Sequence, residues 1–215
     1  MRNFFLSALL VMSSITISSQ DYVPTEENLQ SRKEFDECRF GIFIHWGIYA
    51  VDGVSESWSF YNNYLPYGEY MAQKDRFTAA NYDPAQWASL IKESGAQYTV
   101  ITSKHHDGVA LWDTKASDLS IPAQAAAGRD VLTPFVKEVR KQGLKLGLYY
   151  SLLDWSHPDY PAFTKTENRY AVADDPARWQ RFLDFDFVQL RELSKAYKPD
   201  ISRSEERFSR NAETD

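Results

Sequence analysis

The sequence has a single cysteine, Cys38, and contains no Asn-x-Ser/Thr triplet. One cysteine cannot form a disulfide within the chain, so the folded state has to be held together by its core. No stretch beyond the N-terminal region approaches the roughly 20 apolar residues that a membrane helix needs. No Gly-x-Gly-x-x-Gly or Walker-type loop occurs after a predicted strand, which removes the main support for a nucleotide-binding sheet.

Positive charge is also scarce, since 24 Lys and Arg residues face 30 Asp and Glu residues, for a formal net charge of −6. Binding to nucleic acid requires a concentrated basic face, which the scattered Lys and Arg residues do not supply. We therefore expect no nucleic-acid partner. The chain is instead rich in hydrophobic (43%) and aromatic (15%) residues, enough for a globular core.

The two ends of the chain differ from its middle. Residues 1–20 combine an early positive charge, a short apolar run and small polar residues, the pattern of a cleaved signal peptide. We expect export to the periplasm or the exterior, in a bacterium because glycosylation triplets are absent, and no membrane association after the signal is removed. Residues 203–215 are polar and aperiodic, and a nucleotide string that encodes them resembles a sequencing adapter. We predict a non-native tail there, and a native domain over 21–202.

Three helices are predicted from a shared start signal, a side-chain acceptor followed by proline, at Asp83, Thr133 and Asp175. Each start is followed by apolar residues at helical spacing, and each helix ends at a glycine or at a Lys-Pro step. The stripes comprise Trp87, Leu90 and Ile91; Phe135, Val136 and Val139; and Trp179, Phe182, Leu183, Phe187, Leu190 and Leu193.

Strand-like runs precede and follow these helices at 40–46, 98–102, 144–151 and 200–201. Alternating strands and helices predict an α/β fold with a parallel sheet and right-handed crossovers. Every strand-to-helix connection is far longer than the usual two to six residues, so the long loops share the face at the carboxyl ends of the strands. We predict a (β/α)8 TIM-type barrel, truncated after about three βα units and the start of the fourth strand.

Histidines collect at that face, because His45 ends the first strand and His105 and His106 end the second. A metal site is one alternative, but adjacent histidines diverge in direction, and hydrogen bonding to a ligand is favoured. Imidazoles, phenols and indoles together suit a sugar, with its hydroxyls and C–H faces. The tryptophans in or beside the loops are the ligand candidates, namely Trp46, Trp58, Trp112 and Trp155, whereas Trp87 and Trp179 are structural.

Two aspartates, Asp107 and Asp154, also lie at the rim. A loop aspartate before glycine is more often a turn former than a nucleophile. Neither is assigned a catalytic role.

Five motifs occur in a specific order between Phe35 and Asp200: Gly-Ile-Phe-Ile-His-Trp-Gly at 41–47, Tyr-Asp-Pro at 82–84, Lys-His-His-Asp-Gly at 104–108, Gly-Leu-Tyr-Tyr-Ser at 147–151 and Tyr-Lys-Pro-Asp at 197–200. In this combination the chain resembles the retaining α-L-fucosidases. The resemblance implies an exported hydrolase of terminal α-L-fucosyl residues on oligosaccharides or glycoconjugates, with no cofactor and no metal.

The resemblance also implies a set of sugar-binding residues. His45, His105 and His106 would contact fucosyl hydroxyls, and Tyr150 would lie near the anomeric centre, with Tyr149 as the alternative. In many members an adjacent Glu-Trp pair holds the sugar, and here Glu56 and Trp58 stand one residue apart, so Trp58 carries over better than Glu56.

The catalytic carboxylates are expected outside these motifs. Retaining hydrolysis uses two carboxyl groups roughly 5–5.5 Å apart, and the resemblance places the nucleophile beyond Ile201 and the acid/base further on. A carbohydrate-binding relic without these carboxylates is an alternative, as is a barrel glycosidase with another sugar specificity. The sequence predicts no oligomeric state.

Overall fold

The computed structural model describes residues 23–204. The predicted signal peptide and residues 205–215 of the predicted tail lie outside the described residues. The described chain divides after Phe35 into two units. Among the described residues of the first unit, most belong to helix α1 (Glu26–Glu37), which has no buried residue. No helix within residues 23–204 is long and apolar enough to cross a membrane.

The second unit is built on a four-stranded parallel sheet. Its strands lie in the order β1 (Gly41–Ile44), β2 (Tyr98–Lys104), β3 (Lys145–Tyr150) and β6 (Ile201–Arg203). A two-stranded antiparallel ribbon, β4 (Ala162–Thr164) and β5 (Glu167–Asn168), lies in the loop after β3. The α/β class and the four predicted parallel strands are confirmed. Closure into a barrel stays a prediction.

Three helices connect the sheet strands: α4 (Pro84–Glu93), α6 (Leu132–Lys141) and α7 (Pro176–Tyr197). Four short helices lie in the long loops: α2 (Trp58–Tyr61), α3 (Tyr67–Met71), a 3₁₀ turn at Ala72–Arg76 and α5 (Ile121–Gln124). Another 3₁₀ turn, Ile48–Ala50, follows β1. The elaborate connections thus all follow strands, as predicted, and β6 extends through Arg203, the first residue of the predicted tail.

Two of the three predicted helix starts are confirmed. Asp83 accepts hydrogen bonds from the backbone of residues 85 and 86, and Asp175 accepts one from residue 178. The predicted start at Thr133 is wrong, because α6 begins at Leu132. There the carboxylate of Asp130 accepts from the backbone N–H of Leu132 and of Thr133, both at 2.8 Å, and from the Thr133 hydroxyl at 2.7 Å. A carboxylate three residues earlier therefore replaces the threonine as the cap.

The predicted apolar stripes are only partly buried. All three stripe residues of α6 are in the core, as are Phe182 and Leu193 of α7. Leu90 and Phe187 are instead 57% and 56% exposed, so these two stripe residues lie outside the core. On α7 the buried positions beside Phe187 are taken by the polar residues Asp186 and Gln189, whose side chains accept hydrogen bonds from the hydroxyl of Tyr150 on β3.

Candidate functional site

Three imidazoles meet at the carboxyl ends of β1 and β2. The ring centres of His45 and His105 are 4.8 Å apart, and those of His105 and His106 are 4.3 Å apart. His105 and His106 are buried, whereas the side chain of His45 is 28% exposed. Because the carboxyl ends of parallel strands lie at the same edge of the sheet, the structure brings together the three histidines that the sequence analysis assigned to that edge.

Three consecutive residues of the first long loop serve the three histidines in order. The carboxylate of Glu56 lies 3.0 Å from His45 Nδ1, and the Ser57 hydroxyl is hydrogen-bonded to His105 Nδ1. The ring of Trp58 meets His106 edge-on, with centres 5.6 Å apart. Glu56 has a left-handed backbone, with φ of +31°. The structure therefore places Glu56 and Trp58 at the predicted site and adds Ser57, which sequence reasoning missed.

His106 is held by the loop after β3. Its Nδ1 is hydrogen-bonded to the hydroxyl of Ser151, a buried residue that follows the strand directly. The buried indole of Trp155 lies 4.5 Å from the imidazole, ring centre to ring centre, and stacks on Tyr61 at 4.0 Å. In the sequence, Ser151 stands at the end of a predicted strand and closes the motif at 147–151, but no role was assigned to it.

The two adjacent tyrosines of β3 point to opposite faces of the sheet, because successive strand residues alternate. The ring of Tyr149 lies 5.9 Å from His45 and 5.8 Å from His105. The hydroxyl of Tyr150 lies instead 2.6 Å from the Asp186 carboxylate on α7. Of the residues assigned to the sugar, Tyr150 is the one that the structure does not bring to the histidines, and Tyr149 occupies that place.

A buried charge cluster lies behind the site. The ammonium of Lys104, with no exposed side-chain surface, donates to Tyr150 Oη at 3.0 Å, to Asp154 Oδ2 at 3.3 Å and to Asp186 Oδ1 at 3.4 Å. Burial is the main cause that raises the pKa of Asp186, and Lys104 opposes the shift. The cluster joins the end of β2, the loop after β3 and helix α7. Sequence reasoning missed it because its members are far apart in the chain.

The two rim aspartates organise turns, as the sequence predicts. Asp107 accepts from the Tyr70 hydroxyl at 2.5 Å and from the backbone N–H of Val109 at 2.9 Å. Burial raises the pKa of Asp107 to about 6. Asp154 accepts from the backbone N–H of residues 156 and 157. Gly108 turns the chain between them with φ of +75°.

Two of the four tryptophans named as ligand candidates lie outside the histidine group. Trp46 packs in an aromatic cluster with Phe77, Tyr82 and Trp87. Trp112 is buried, and its indole donates to the Glu192 carboxylate at 3.1 Å. Both tryptophans stabilise the packing of loops and helices.

The exposed side of the site is a shallow pocket of about 320 Å³, lined by Phe43, His45, Tyr149 and Arg203. Burial, with smaller contributions from the neighbouring imidazoles, holds the pKa of His105 well below its usual range, so this ring is neutral. Its buried Nε2 has no hydrogen-bond partner within the described part of the chain. Among residues 23–204 no three His, Cys, Asp or Glu side chains are arranged to hold a metal ion.

Hydrogen-bonding rings beside aromatic faces, at the carboxyl edge of a parallel sheet, suit a carbohydrate-processing α/β protein. The α-L-fucosidase family model matches residues 9–211. The chain belongs to the α-L-fucosidase family, whose enzymes are glycoside hydrolases.

Individual relatives support the same assignment. The α-L-fucosidase of Branchiostoma floridae is 32% identical and covers 91% of this chain, but only 46% of that protein is matched. Isoenzyme 1 from Paenibacillus thiaminolyticus superposes with a TM-score of 0.69 at 36% identity, over 79% of this chain and 41% of its own. A Bacteroides thetaiotaomicron α-L-fucosidase, trapped as a covalent intermediate with 2-fluoro-fucosyl fluoride, superposes with a TM-score of 0.70 at 32% identity. The match covers 81% of this chain and 40% of the B. thetaiotaomicron chain. The chain thus spans about half the length of the relatives it matches.

Proposed function

We propose that this chain forms the N-terminal part of the catalytic (β/α)8 barrel of an exported, retaining α-L-fucosidase. The complete enzyme removes terminal α-L-fucosyl residues from oligosaccharides or glycoconjugates and needs no cofactor. One observation carries the proposal: three imidazoles, Trp58 and Tyr149 converge at the carboxyl edge of the sheet.

Barrel closure is supported by the exposed features of the sheet. Parallel sheets in α/β proteins are normally covered on both faces. Here β1 and β6 are the outer strands of the sheet within the described residues. Phe43, on the same face as Tyr149, is 40% exposed. Further strands that continue from β6 back to β1 would cover this face.

The position of β6 supports the proposed chemistry. It pairs in parallel with β3, with Tyr149 opposite Arg203, so residues that follow Arg203 would emerge at the edge that carries the histidines. A nucleophilic carboxylate there would form a covalent glycosyl intermediate, and a second carboxylic acid would protonate the leaving oxygen. The covalent intermediate trapped in the B. thetaiotaomicron relative is consistent with retention.

The proposal is tested first on the gene. Sequencing of the source DNA across codons 200–215 and several hundred bases downstream should reveal an open frame with a carboxylate-bearing segment after Ile201. A stop codon directly after codon 215 would contradict the proposed barrel and would favour a carbohydrate-binding relic.

The activity test uses the complete protein. We expect release of 4-nitrophenol from 4-nitrophenyl α-L-fucoside, and loss of nearly all release when the fourth-strand carboxylate is replaced by alanine. The matched substrate control is the corresponding galactoside. Preferential hydrolysis of the galactoside would replace the fucosidase proposal with another glycosidase specificity.

A further inference from the structure

A second pocket, of about 300 Å³, lies where the loops after β2 and β3 meet helix α7. Its volume is at the lower end of the roughly 300–1,000 Å³ that is usual for ligand pockets, so it suits one small ligand. The polar and aromatic part of its lining includes Asp118, Gln124, Ser156, His157 and Phe185. None of these residues lines the shallow pocket beside His45.

The second pocket and the histidines lie on different sides of β3. Tyr149 lies beside the histidines, whereas the next residue of the strand, Tyr150, contacts Lys104 on the opposite face. The ammonium of Lys104 lies 3.3 Å from Asp154 Oδ2 and 5.3 Å from the ring centre of Phe185. Both Asp154 and Phe185 line the second pocket. This pocket is therefore on the helix side of the sheet, and a ligand in it occupies different space from a sugar at the histidines.

The imidazole of His157 supplies a hydrogen-bond donor to this pocket. Its Nδ1 accepts from the backbone N–H of Asp159 at 3.1 Å. Burial lowers the pKa of His157 below its ordinary value, so the ring is neutral. In a neutral imidazole whose Nδ1 accepts, the proton is on Nε2. Within residues 23–204 no group accepts this proton, so it is available to a ligand.

Two further donors come from side chains whose acceptor atoms are already in use. The hydroxyl of Ser156 accepts from Tyr67 Oη at 3.0 Å, which leaves its own proton. The side-chain oxygen of Gln124 accepts from the ammonium of Lys74 at 2.7 Å, which leaves the amide N–H groups. The pocket therefore presents uncharged donors from both loops.

The charges of the pocket exclude an anion. Asp118 is exposed, and its carboxylate makes no hydrogen bond or ion pair within the described part of the chain. The other carboxylate, that of Asp154, is already paired with Lys104, and no Lys or Arg is among the described residues that line the pocket. The ring of Phe185, with its centre 4.4 Å from that of His157, adds an apolar face. Neutral donors, one acceptor and an aromatic face together suit an uncharged sugar.

We propose that this pocket is a second carbohydrate site, which binds an uncharged sugar unit other than the fucosyl residue at the histidines. Sugar hydroxyls accept from His157 Nε2 and the Ser156 hydroxyl and donate to the Asp118 carboxylate. A C–H face of the sugar packs on Phe185. The inference rests on the proposed function for the choice of a glycan as the ligand, but binding at the pocket is measured independently of fucose.

Calorimetry of the complete protein with D-galactose, D-glucose and N-acetyl-D-glucosamine measures this binding. Each titration is repeated with a fucose-configured iminocyclitol, since an iminocyclitol inhibitor is bound in a bacterial fucosidase relative. We expect millimolar binding of at least one of the three sugars, with a Kd that the iminocyclitol does not change. D-galacturonate should bind roughly 10-fold more weakly than D-galactose, because its carboxylate meets Asp118.

Two outcomes of these titrations would overturn the inference: no binding of any of the three sugars, or displacement of the bound sugar by the iminocyclitol. Failure of the iminocyclitol itself to bind would instead count against the proposed function and leave the binding of the other sugars standing.

The source of the sugar unit is distinguished by the KM values of His157→Phe. A rise in KM for a fucosylated oligosaccharide, with none for 4-nitrophenyl α-L-fucoside, assigns the pocket to a neighbouring unit of the substrate glycan. Equal KM values for H157F and the wild type, together with weakened binding of the free sugar, assign it to a second glycan.

Two variants locate the binding. H157F keeps a ring against Phe185 but removes the Nε2–H donor, and Asp118→Ala removes the acceptor at an exposed position where the fold does not depend on it. Each should weaken binding of the free sugar roughly 3- to 10-fold. Asp113→Ala is the matched control, because Asp113 is an exposed aspartate of the same loop that does not line the pocket. Wild-type affinity in both H157F and D118A, or an equal loss in D113A, would overturn the assignment of the site.

Discussion

Replacement of Lys104 by methionine should destabilise the protein far more than the loss of any surface ion pair. Methionine keeps most of the apolar stem but removes the ammonium that lies 3.3 Å from Asp154 and 3.4 Å from Asp186. The two carboxylate side chains are only 3% and 7% exposed, so water cannot replace the lost cation. Removing one partner from a buried pair typically costs about 3–5 kcal/mol.

The cost is measured as the shift of the urea unfolding midpoint of the complete protein. With an m-value of about 2 kcal/mol/M, a cost of about 3 kcal/mol lowers the midpoint by about 1.5 M. Lys115→Met is the control, because its pair with Asp113 is exposed on both sides and such pairs are worth at most about 1 kcal/mol. Equal midpoints for K104M and K115M would refute the reasoning that a buried cation holds the two carboxylates.

The pH dependence of K104M supplies a second check. Burial raises the pKa of Asp186 in the folded state, and Lys104 opposes that shift, so loss of the lysine raises the pKa further. A carboxyl group whose folded pKa exceeds its unfolded pKa disfavours folding while it is ionised, and this penalty is relieved as the pH falls through the folded value. The destabilisation by K104M should therefore be smaller at pH 5 than at pH 8, and the charge-neutral variant D154N/D186N/K104M should recover part of the loss.

Three further predictions concern the turns and the tyrosines. Gly108→Ala should cost roughly 1–3 kcal/mol in the free energy of urea unfolding, because φ is +75° and the new Cβ would come within 2.6 Å of a carboxylate oxygen of Asp154. Gly53→Ala, with φ of +63° and no atom within 4 Å of its new Cβ, is the control and should cost less. Equal costs for the two variants would contradict the role of the contact with Asp154. Between pH 7 and pH 4 the wild type should gain up to about 3 kcal/mol of stability relative to Asp107→Asn. Burial raises the pKa of Asp107 from 3.8 to about 6 in the folded state, so the folded protein takes up the proton at a higher pH than the unfolded chain. Parallel profiles of stability against pH for the two proteins would refute this. Tyr149→Phe should weaken fucose binding, measured by calorimetry, with little loss of stability in urea unfolding. Tyr150→Phe should instead lower the stability with little effect on fucose binding, since of the two hydroxyls only that of Tyr150 bonds to the buried cluster.

The strands and helices were predictable because their signals are local. The cap at Asp83 needs only its own side chain and the next two residues, and an apolar run between turn residues indicates a buried strand wherever it lies. The start of α6 was misassigned because two acceptors, Asp130 and Thr133, compete within one turn, and the stronger one lies just outside the proline signal. Elements were thus correct where one local signal dominated.

The choice between Tyr149 and Tyr150 could not be made from the sequence. A parallel strand covered on both faces is apolar at every position, so it lacks the alternation that tells one face from the other. In β3 all residues from Leu146 to Tyr150 are buried. Only pairing with β1 and β2, which sets the face that carries His45 and His105, determines that Tyr149 lies beside them.

The interruption of the Glu-Trp pair by Ser57 has a physical explanation in the structure. Three histidines need three separate supports, and the segment 56–58 provides them in sequence order: a carboxylate at His45, a hydroxyl at His105 and an indole face at His106. Ser57 is fully buried, so it is part of the site and not a loop insertion tolerated at the surface. Its removal would draw Trp58 towards Glu56 and leave the Nδ1 of His105 without its hydroxyl partner, and for a buried polar atom that loss costs roughly 1–3 kcal/mol. The spacing of Glu56 and Trp58 is therefore tied to the support of His105, and the two residues cannot be brought together without rebuilding that support.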